Sequence, residues 1–182
     1  MKTALFLITG FEEIEALTTV DVLRRGQADV KMISLTDENW VTGSHGITVQ
    51  TDLTLSEAME SDFKMLILPG GPGAAHYQTH KAFADYLIQQ SQAEKIIAAI
   101  CAAPTFLGKL GLLKGKRAVC YPGMEKDLAG AELSTEMVVT DGNIVTAKGP
   151  AATLYFGLKL LEIAAGKDTA DNVRKGMLAE CK

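Results

Sequence analysis

The sequence is short of cysteine, of long apolar runs and of positive charge. Its three cysteines, Cys101, Cys120 and Cys181, are odd in number and widely spaced, without CxxC or Cys/His ligand spacing. That usage argues against a disulfide framework or a zinc site and fits a reducing compartment. No apolar run is long enough to cross a bilayer, and the strand pattern after Met1 lacks the cleavage-type segment of a signal peptide. We therefore expect a cytoplasmic protein with no membrane partner.

The charge balance excludes another class of partner. The 182 residues carry 18 Lys and Arg against 22 Asp and Glu, a net charge of -4, without a Lys/Arg-rich patch. Nucleic-acid and anionic-membrane surfaces need a clustered positive face, so neither partner is expected. With 47% hydrophobic and 22% charged residues, the composition is globular and the length allows one sizeable core. The prediction is a single domain over residues 1–182.

Short apolar runs alternate with helical patterns along the chain. Several runs are nearly continuous Val, Ile, Leu and Ala, as in strands buried on both faces. The predicted strands are 2–9, 30–34, 65–68, 96–100 and 117–119. Right-handed crossovers of a parallel sheet require helices between such strands. The predicted helices are 13–25, 55–61, 81–90 and 105–110. This alternation predicts an α/β sandwich.

Two insertions depart from the simple alternation, and one long helix follows them. Residues 40–50 hold a glycine-rich turn between β-prone pieces, and residues 138–147 contain Asp141-Gly142, a strong hairpin signal. Both patterns predict antiparallel hairpins added to the parallel core. A last long helix is predicted between Pro150 and Gly166, and we interpret its apolar face as core packing.

Cys101 is the most informative residue, because it follows the buried run 96–100 and precedes Pro104 and a helical pattern. The small residues around it suit a tight strand-to-helix elbow that carries a nucleophile. At a helix N-terminus the thiol would face unpaired amides and the positive end of the helix dipole. We therefore expect a thiol pKa below the free value of about 8.5. A buried structural cysteine is the alternative.

Two more segments follow predicted strands at the same edge of the sheet. Residues 68–73, Leu-Pro-Gly-Gly-Pro-Gly, lack the Lys-Ser/Thr of a P-loop and the GxGxxG of a dinucleotide site. They suit a backbone wall around an anion or a developing oxyanion. Glu12, Glu13 and Glu15 begin the first predicted helix, where two of them suffice to complement the helix dipole. A third could turn into the cleft as an acid or base beside Cys101, and spacing alone does not choose among them.

Together these segments resemble the DJ-1/PfpI (ThiJ) family. The likeness rests on residues 12–15, 68–71 and 98–105, extends to 19–25 and 148–150, and keeps their order over most of the chain. It is closest to the DJ-1 and bacterial ThiJ/YajL branch. The resemblance implies a flavodoxin-like three-layer sandwich, with a mostly parallel central sheet and antiparallel hairpin additions, that forms a homodimer.

The resemblance also implies roles for site residues. Cys101 is the nucleophile and redox centre, Glu15 is its hydrogen-bonding partner, and the amides of Gly71 and Ala102 face the thiolate. Members are described as glyoxalase III-type enzymes, protein deglycases, redox-responsive stress proteins and chaperones, and many carry the label of thiazole monophosphate biosynthesis. No metal or cofactor is needed for these roles.

Three positions at which the sequence departs from the family patterns argue against some of the activities known in the family. All three histidines precede Cys101, so none can supply the downstream histidine of a glutamine amidotransferase triad. Ala102 stands where peptidase members carry a histidine, which disfavours peptidase activity. Tyr121 takes the place of the histidine that approaches the cysteine in DJ-1. A phenol with a pKa near 10 is a poor base, though it can orient a carbonyl oxygen. His76 is a further candidate for an accessory role.

Two hypotheses of different class remain open. In the first, Cys101 adds to a small 2-oxoaldehyde such as methylglyoxal, or acts on its adducts, and Glu15 moves the proton that converts the hemithioacetal to a hydroxyacid. In the second, the protein is a non-enzymatic redox sensor or chaperone whose Cys101 is oxidised to a sulfinate. The expected partner is thus a small carbonyl compound or an oxidant.

Overall fold

A seven-stranded sheet forms the centre of the computed structural model, which describes residues 1–36 and 38–179. The strands of the chain are β1 Lys2–Leu7, β2 Asp29–Ser34, β3 Trp40–Thr42, β4 Thr48–Gln50, β5 Leu53–Thr54, β6 Met65–Leu68, β7 Ile96–Ile100, β8 Arg117–Ala118, β9 Glu132–Leu133, β10 Val138–Asp141 and β11 Ile144–Ala147. The central sheet has the order β10-β11-β7-β6-β1-β2-β5, and its pairs are parallel except β10 with β11. The predicted mostly parallel sheet is confirmed.

Helices cover both faces of this sheet. The α-helices are α1 Glu13–Arg25, α2 Leu55–Met59, α3 Lys81–Gln92, α4 Pro104–Lys109, α5 Thr153–Ala165 and α6 Lys167–Gly176. Short 3-10 helices occur at Pro72–Thr79, Glu125–Asp127 and Pro150–Ala152. Because strand side chains alternate between faces, Phe6 of β1 joins the core under α3 and α4, whereas Leu5 joins the core under α1 and α5. Two cores on opposite sides of one sheet make the three-layer α/β sandwich that the sequence predicts.

Both predicted hairpins form, and they stand in different places. β3 and β4 pair antiparallel as a separate two-stranded ribbon. β10 and β11 pair antiparallel at the edge of the central sheet, and the two-residue turn Gly142-Asn143 joins Asp141 to Ile144, with a φ of +59° at Gly142. A left-handed glycine in a two-residue turn is typical of tight hairpins.

The structure also departs from the sequence prediction in several elements. The predicted strand 117–119 forms only β8, which pairs in parallel with β9 outside the central sheet. Gly166 ends α5 with a φ of +89°, and the chain then enters α6, which we did not predict because it buries little besides Ala170. Cys181 lies outside the described residues. Within the described part of the chain, every helix is too short or too polar to span a bilayer.

The strand order places three loops at one edge of the sheet. In the central sheet, β2 lies on one side of β1, and β6 lies on the other side. At such a switch point the loops beyond the carboxyl ends diverge and leave a crevice. Leu68 of β6 is in register with Ala99 of β7, so the loops that follow these two strands begin side by side. The loops after β1, β6 and β7 are therefore the expected place of a functional site.

Candidate functional site

Cys101 occupies a strained elbow between β7 and α4. Its φ is +64°, in the left-handed region that residues other than glycine seldom adopt. Two backbone hydrogen bonds hold it there: its amide donates to the carbonyl oxygen of Ala147 at 2.9 Å, and its carbonyl accepts from the amide of Tyr121 at 2.8 Å. Such strain, worth about 1–3 kcal/mol, persists only where the surroundings enforce it. The elbow predicted from the sequence is present.

Glu15 is the carboxylate that turns into the site. Its side chain is fully buried, and its Oε2 accepts a hydrogen bond from the amide of Gly70 at 2.7 Å. A methyl group added to Gly70 would lie 2.7 Å from Cys101 Cβ and 2.8 Å from Glu15 Oε2. The carboxyl group and the thiol therefore face each other across this glycine, within reach of a hydrogen bond. The second oxygen, Oε1, is buried and has no partner among the described residues.

Burial dominates the proton affinity of both groups. It raises the pKa of Glu15 to about 7, although hydrogen bonds from Cys101 and the Gly70 amide act in the opposite direction. Burial, and then the charge of an ionised Glu15, raise the pKa of Cys101 to about 12. The prediction of a thiol pKa below 8.5 is therefore wrong for the state in which Glu15 is ionised. The six-residue α4 and the site's amides do not offset burial of a side chain that is only 8% exposed. Between these two pKa values the two groups together retain one proton, and below about pH 7 they retain two.

Two backbone amides approach the sulfur. The N–H groups of Gly71 and Ala102 hydrogen-bond Cys101 and lower its pKa against the effect of burial. Gly71 has a φ of +92°, and a Cβ there would lie 2.5 Å from the amide nitrogen of Glu12, so the turn requires glycine. The diglycine segment thus forms the backbone wall that the sequence predicts, and Ala102 supplies its donor directly after the elbow.

These groups open into a cleft of about 590 Å³. Cys101, Gly71 and Ala102 are among the residues that line it. Its apolar walls are Pro72, Ala75, Met124 and Pro150. Its polar or aromatic lining residues are Glu12, Thr105, Lys109, Tyr121 and Asp127. Volumes of this size are typical of small-molecule sites.

Tyr121 lines the cleft, and His76 does not. A methyl group added to Gly149 would lie 3.2 Å from Tyr121 Cδ2 and 3.9 Å from Cys101 Sγ, so the half-exposed phenol ring stands beside the thiol. His76 lies in the 3-10 helix Pro72–Thr79, where three residues per turn carry it off the face that lines the cleft. The geometry gives no support to an accessory role for His76.

Sequence reasoning overlooked Thr105 and Lys109. Both line the cleft, and they follow Cys101 at intervals of four residues, which places them on one side of α4. This interval was the available signal. The hydroxyl of Thr105 donates to the carbonyl oxygen of Ala102 at 2.7 Å.

Glu13 serves the β3–β4 hairpin and not the cleft. Its carboxylate accepts hydrogen bonds from the amide of His45 at 2.7 Å, the Nδ1 of His45 at 2.9 Å and the hydroxyl of Ser44 at 3.2 Å. Burial would raise its pKa, but these bonds outweigh burial and lower it to about 2. Glu12, Glu13 and His45 could offer a metal ion one ligand atom each within 4.8 Å of one another. The bonds to Ser44 and His45 already occupy the oxygens of Glu13.

The protein is a flavodoxin-like cysteine protein with an open cleft at the switch point of its sheet. The cleft holds a strained cysteine elbow and a diglycine wall, and a buried glutamate lies beside the cysteine. Residues 1–163 match the DJ-1/PfpI family, and the chain belongs to that family. It is 35% identical over 181 residues to protein dj-1beta of Drosophila melanogaster, covering 97% of both chains. It superposes with a TM-score of 0.93 on the crystal structure of a cysteine-to-alanine mutant of a DJ-1 superfamily protein from Salmonella typhimurium, at 34% identity over 97% of each chain.

Other relatives differ in length and in the activity that their names state. The chain is 40% identical over 182 residues to Protein DJ-1 homolog A of Arabidopsis thaliana, 97% of this chain but 46% of that protein, so it spans about half of that relative's length. A deglycase of Pyrococcus horikoshii is 30% identical over 153 residues, 83% of this chain and 92% of that protein. The glutathione-independent glyoxalase DJR-1.2 of Caenorhabditis elegans is 30% identical over 178 residues, 96% of this chain and 95% of that protein.

Proposed function

We propose that the protein converts small 2-oxoaldehydes, or their adducts, to 2-hydroxy acids, with Cys101 as nucleophile and Glu15 as acid and base. The observation that carries this proposal is the buried carboxyl group facing the elbow thiol across Gly70, with a pKa of about 7. A group of that pKa can both give and take a proton at neutral pH. The names of the deglycase and glyoxalase relatives support the same class of substrate.

In the reactive form, the shared proton resides on Glu15 and the charge on sulfur. An ionised Glu15 would leave Oε1 buried without a donor, and an unpaired buried acceptor destabilises the folded state. A protonated carboxyl group can instead donate the hydrogen bond that joins Glu15 to Cys101. The amides of Gly71 and Ala102 add two further donors to the thiolate.

The reaction then needs only proton transfers and water. The thiolate attacks the aldehyde carbon of methylglyoxal, and the carbonyl oxygen takes the proton of Glu15, which gives a hemithioacetal. The Glu15 carboxylate removes the hydrogen on that carbon, which gives an enediolate, and the protonated Glu15 returns this proton to the neighbouring carbon. The hydroxyl proton on the former aldehyde oxygen passes to the former ketone oxygen. The product is a 2-hydroxyacyl thioester of Cys101. Water hydrolyses the thioester, releases lactate and regenerates the thiol, so the sum is methylglyoxal plus water to lactate.

The direct test is lactate formation by purified protein supplied with methylglyoxal. We expect Cys101→Ser and Glu15→Gln to abolish it. Cys120→Ser is the matched control, because Cys120 is also buried but lies outside the cleft lining, and it should keep the wild-type rate. Equal rates in the wild type and Cys101→Ser would refute the proposal.

A redox role is the second candidate, and the same donors favour it. Two amides and a carboxyl group around one sulfur suit the oxygens of a sulfinate as well as a thiolate. Mass spectrometry after peroxide treatment should find oxidation concentrated on Cys101, which opens into the cleft beside these donors, and little on Cys120, which is buried outside the lining of that cleft. Equal modification of both thiols would count against this role. Homodimer assembly, a single-domain protein and a cytoplasmic location stay predictions.

A further inference from the structure

The cleft is larger than the proposed three-carbon substrate requires. Its volume of about 590 Å³ falls within the range of about 300–1,000 Å³ that holds drug-sized ligands. Beyond the thiol its walls are apolar over Pro72, Ala75 and Met124. A ligand that fills the cleft therefore has an apolar middle section beyond its reactive carbonyl.

The end remote from Cys101 is polar, and two helices build it. The 3-10 helix Pro72–Thr79 has three residues per turn, so Pro72, Ala75 and Gln78 share one face, and Gln78 lies about 12 Å along the axis from Pro72. On the facing wall, α4 carries Lys109 at its end. Lys109 Nζ donates to Gln78 Oε1 at 3.1 Å, and this bond joins the two walls.

The charge of Lys109 is not neutralised by the protein. Its hydrogen-bond partner is a neutral amide, and within the described ranges no carboxylate lies at ion-pair distance from it. Asp127 also lines the cleft, next to α4. Its negative charge repels an anionic ligand, whereas the positive charge of Lys109 attracts it. An ammonium group at the end of an apolar cleft is suited to a carboxylate, with which it forms a charge-assisted hydrogen bond.

We propose that Lys109, held by Gln78, determines specificity by binding a carboxylate on the substrate. The substrate class is a 2-oxoaldehyde, or its adduct, whose apolar middle lies along the cleft and whose far end is anionic. This inference rests on the proposed function and adds the part of the substrate that does not react.

The test compares two aromatic 2-oxoaldehydes of matched shape, phenylglyoxal and 4-carboxyphenylglyoxal. We expect wild-type kcat/KM to favour the carboxylated compound, and Lys109→Gln to reduce that preference about 3- to 5-fold, as for a solvent-accessible ion pair. The preference should also decline with ionic strength. Asp127→Asn should increase it. Lys114→Gln is the matched control, because it removes the same charge from an exposed lysine outside the cleft.

An unchanged preference in Lys109→Gln would overturn the inference, and so would an equal loss in Lys114→Gln. A second measurement separates this outcome from failure of the proposed function. If neither aldehyde is turned over, protection of Cys101 from iodoacetamide is compared for 4-methylbenzoate and 4-methylbenzyl alcohol. If 4-methylbenzoate protects Cys101 and 4-methylbenzyl alcohol does not, and this protection disappears in Lys109→Gln, the carboxylate site is supported even though the proposed reaction fails. Equal or absent protection by both compounds would refute it.

Discussion

The raised pKa of Glu15 predicts how the stability of the protein depends on pH. The folded state holds the proton more tightly than the unfolded chain, because burial raises this pKa from 4.5 to about 7. The stability from protonated Glu15 is thus fully present below pH 4.5 and is lost as the pH rises through about 7. One pKa unit corresponds to about 1.36 kcal/mol, so the loss over this interval amounts to roughly 3 kcal/mol.

The perturbation that isolates this effect is Glu15→Gln. The amide does not ionise, yet its side-chain oxygen can still accept the hydrogen bond from Gly70. We expect the free energy of unfolding of the wild type to fall by roughly 3 kcal/mol relative to Glu15→Gln as the pH rises from 4.5 to about 7. Urea unfolding of both proteins at a series of pH values measures this difference directly.

Other titrating groups do not obscure the comparison. Glu13 and His45 are present in both proteins, so their contributions cancel in the difference. Burial is the largest cause of the raised pKa of Cys101 and is present in both proteins, so the thiol does not titrate in this interval in either of them. Parallel stability profiles for the two proteins would refute the reasoning, because they would mean that Glu15 titrates alike in the folded and unfolded chains.

Two further predictions concern the packing around the site. Gly70→Ala should destabilise the protein by about 1–3 kcal/mol and slow alkylation of the elbow thiol, because the new methyl group would lie within 3 Å of three atoms. Gly176→Ala, whose methyl group would have no neighbour within 4 Å, is the control, and an equal alkylation rate in both variants would contradict the argument. Glu13→Gln should cost about 1–3 kcal/mol above pH 4.5, because it weakens the hydrogen bonds that hold the hairpin, and the difference should shrink as the pH falls toward 2. The fluorescence of Trp40, the single tryptophan, reports the hairpin, and unchanged fluorescence with unchanged stability would disprove this role.

The sequence predicts the central sheet well for a physical reason. Strands buried on both faces must be apolar throughout, and the predicted strands 65–68 and 96–100 have the same bounds as β6 and β7. The helix predicted over 13–25 likewise matches α1. Elements that bury little escape such reasoning. β9 has two exposed residues, and α6 buries only Ala170, so neither leaves a strong pattern of apolar residues.

The site is predictable in part. Local sequence marks the Cys101 elbow and the glycines of the facing wall. Only the family resemblance selects Glu15 over Glu12 and Glu13, because the contacts that distinguish these carboxylates are made with distant parts of the chain. Glu13 accepts a hydrogen bond from the β3–β4 hairpin, whereas Glu15 accepts one from the loop after β6. The direction in which the thiol pKa is shifted depends on burial and on the charge of Glu15. Both are consequences of tertiary packing, and no local pattern contains them.

The reactive end of the cleft is built from tightly packed backbone, whereas the far end is built from exposed side chains. This difference determines where substrate selectivity can change without loss of the fold. At the reactive end, glycines without room for a side chain and a strained elbow fix the positions of atoms, so a substitution there disturbs the fold. At the far end, Lys109 and Gln78 are exposed side chains at the ends of short helices. Exposed substitutions away from caps and strained turns typically change stability by less than about 0.5 kcal/mol. Replacing this pair should therefore alter which aldehydes enter the cleft while the cysteine–glutamate chemistry and the sheet that carries it stay intact.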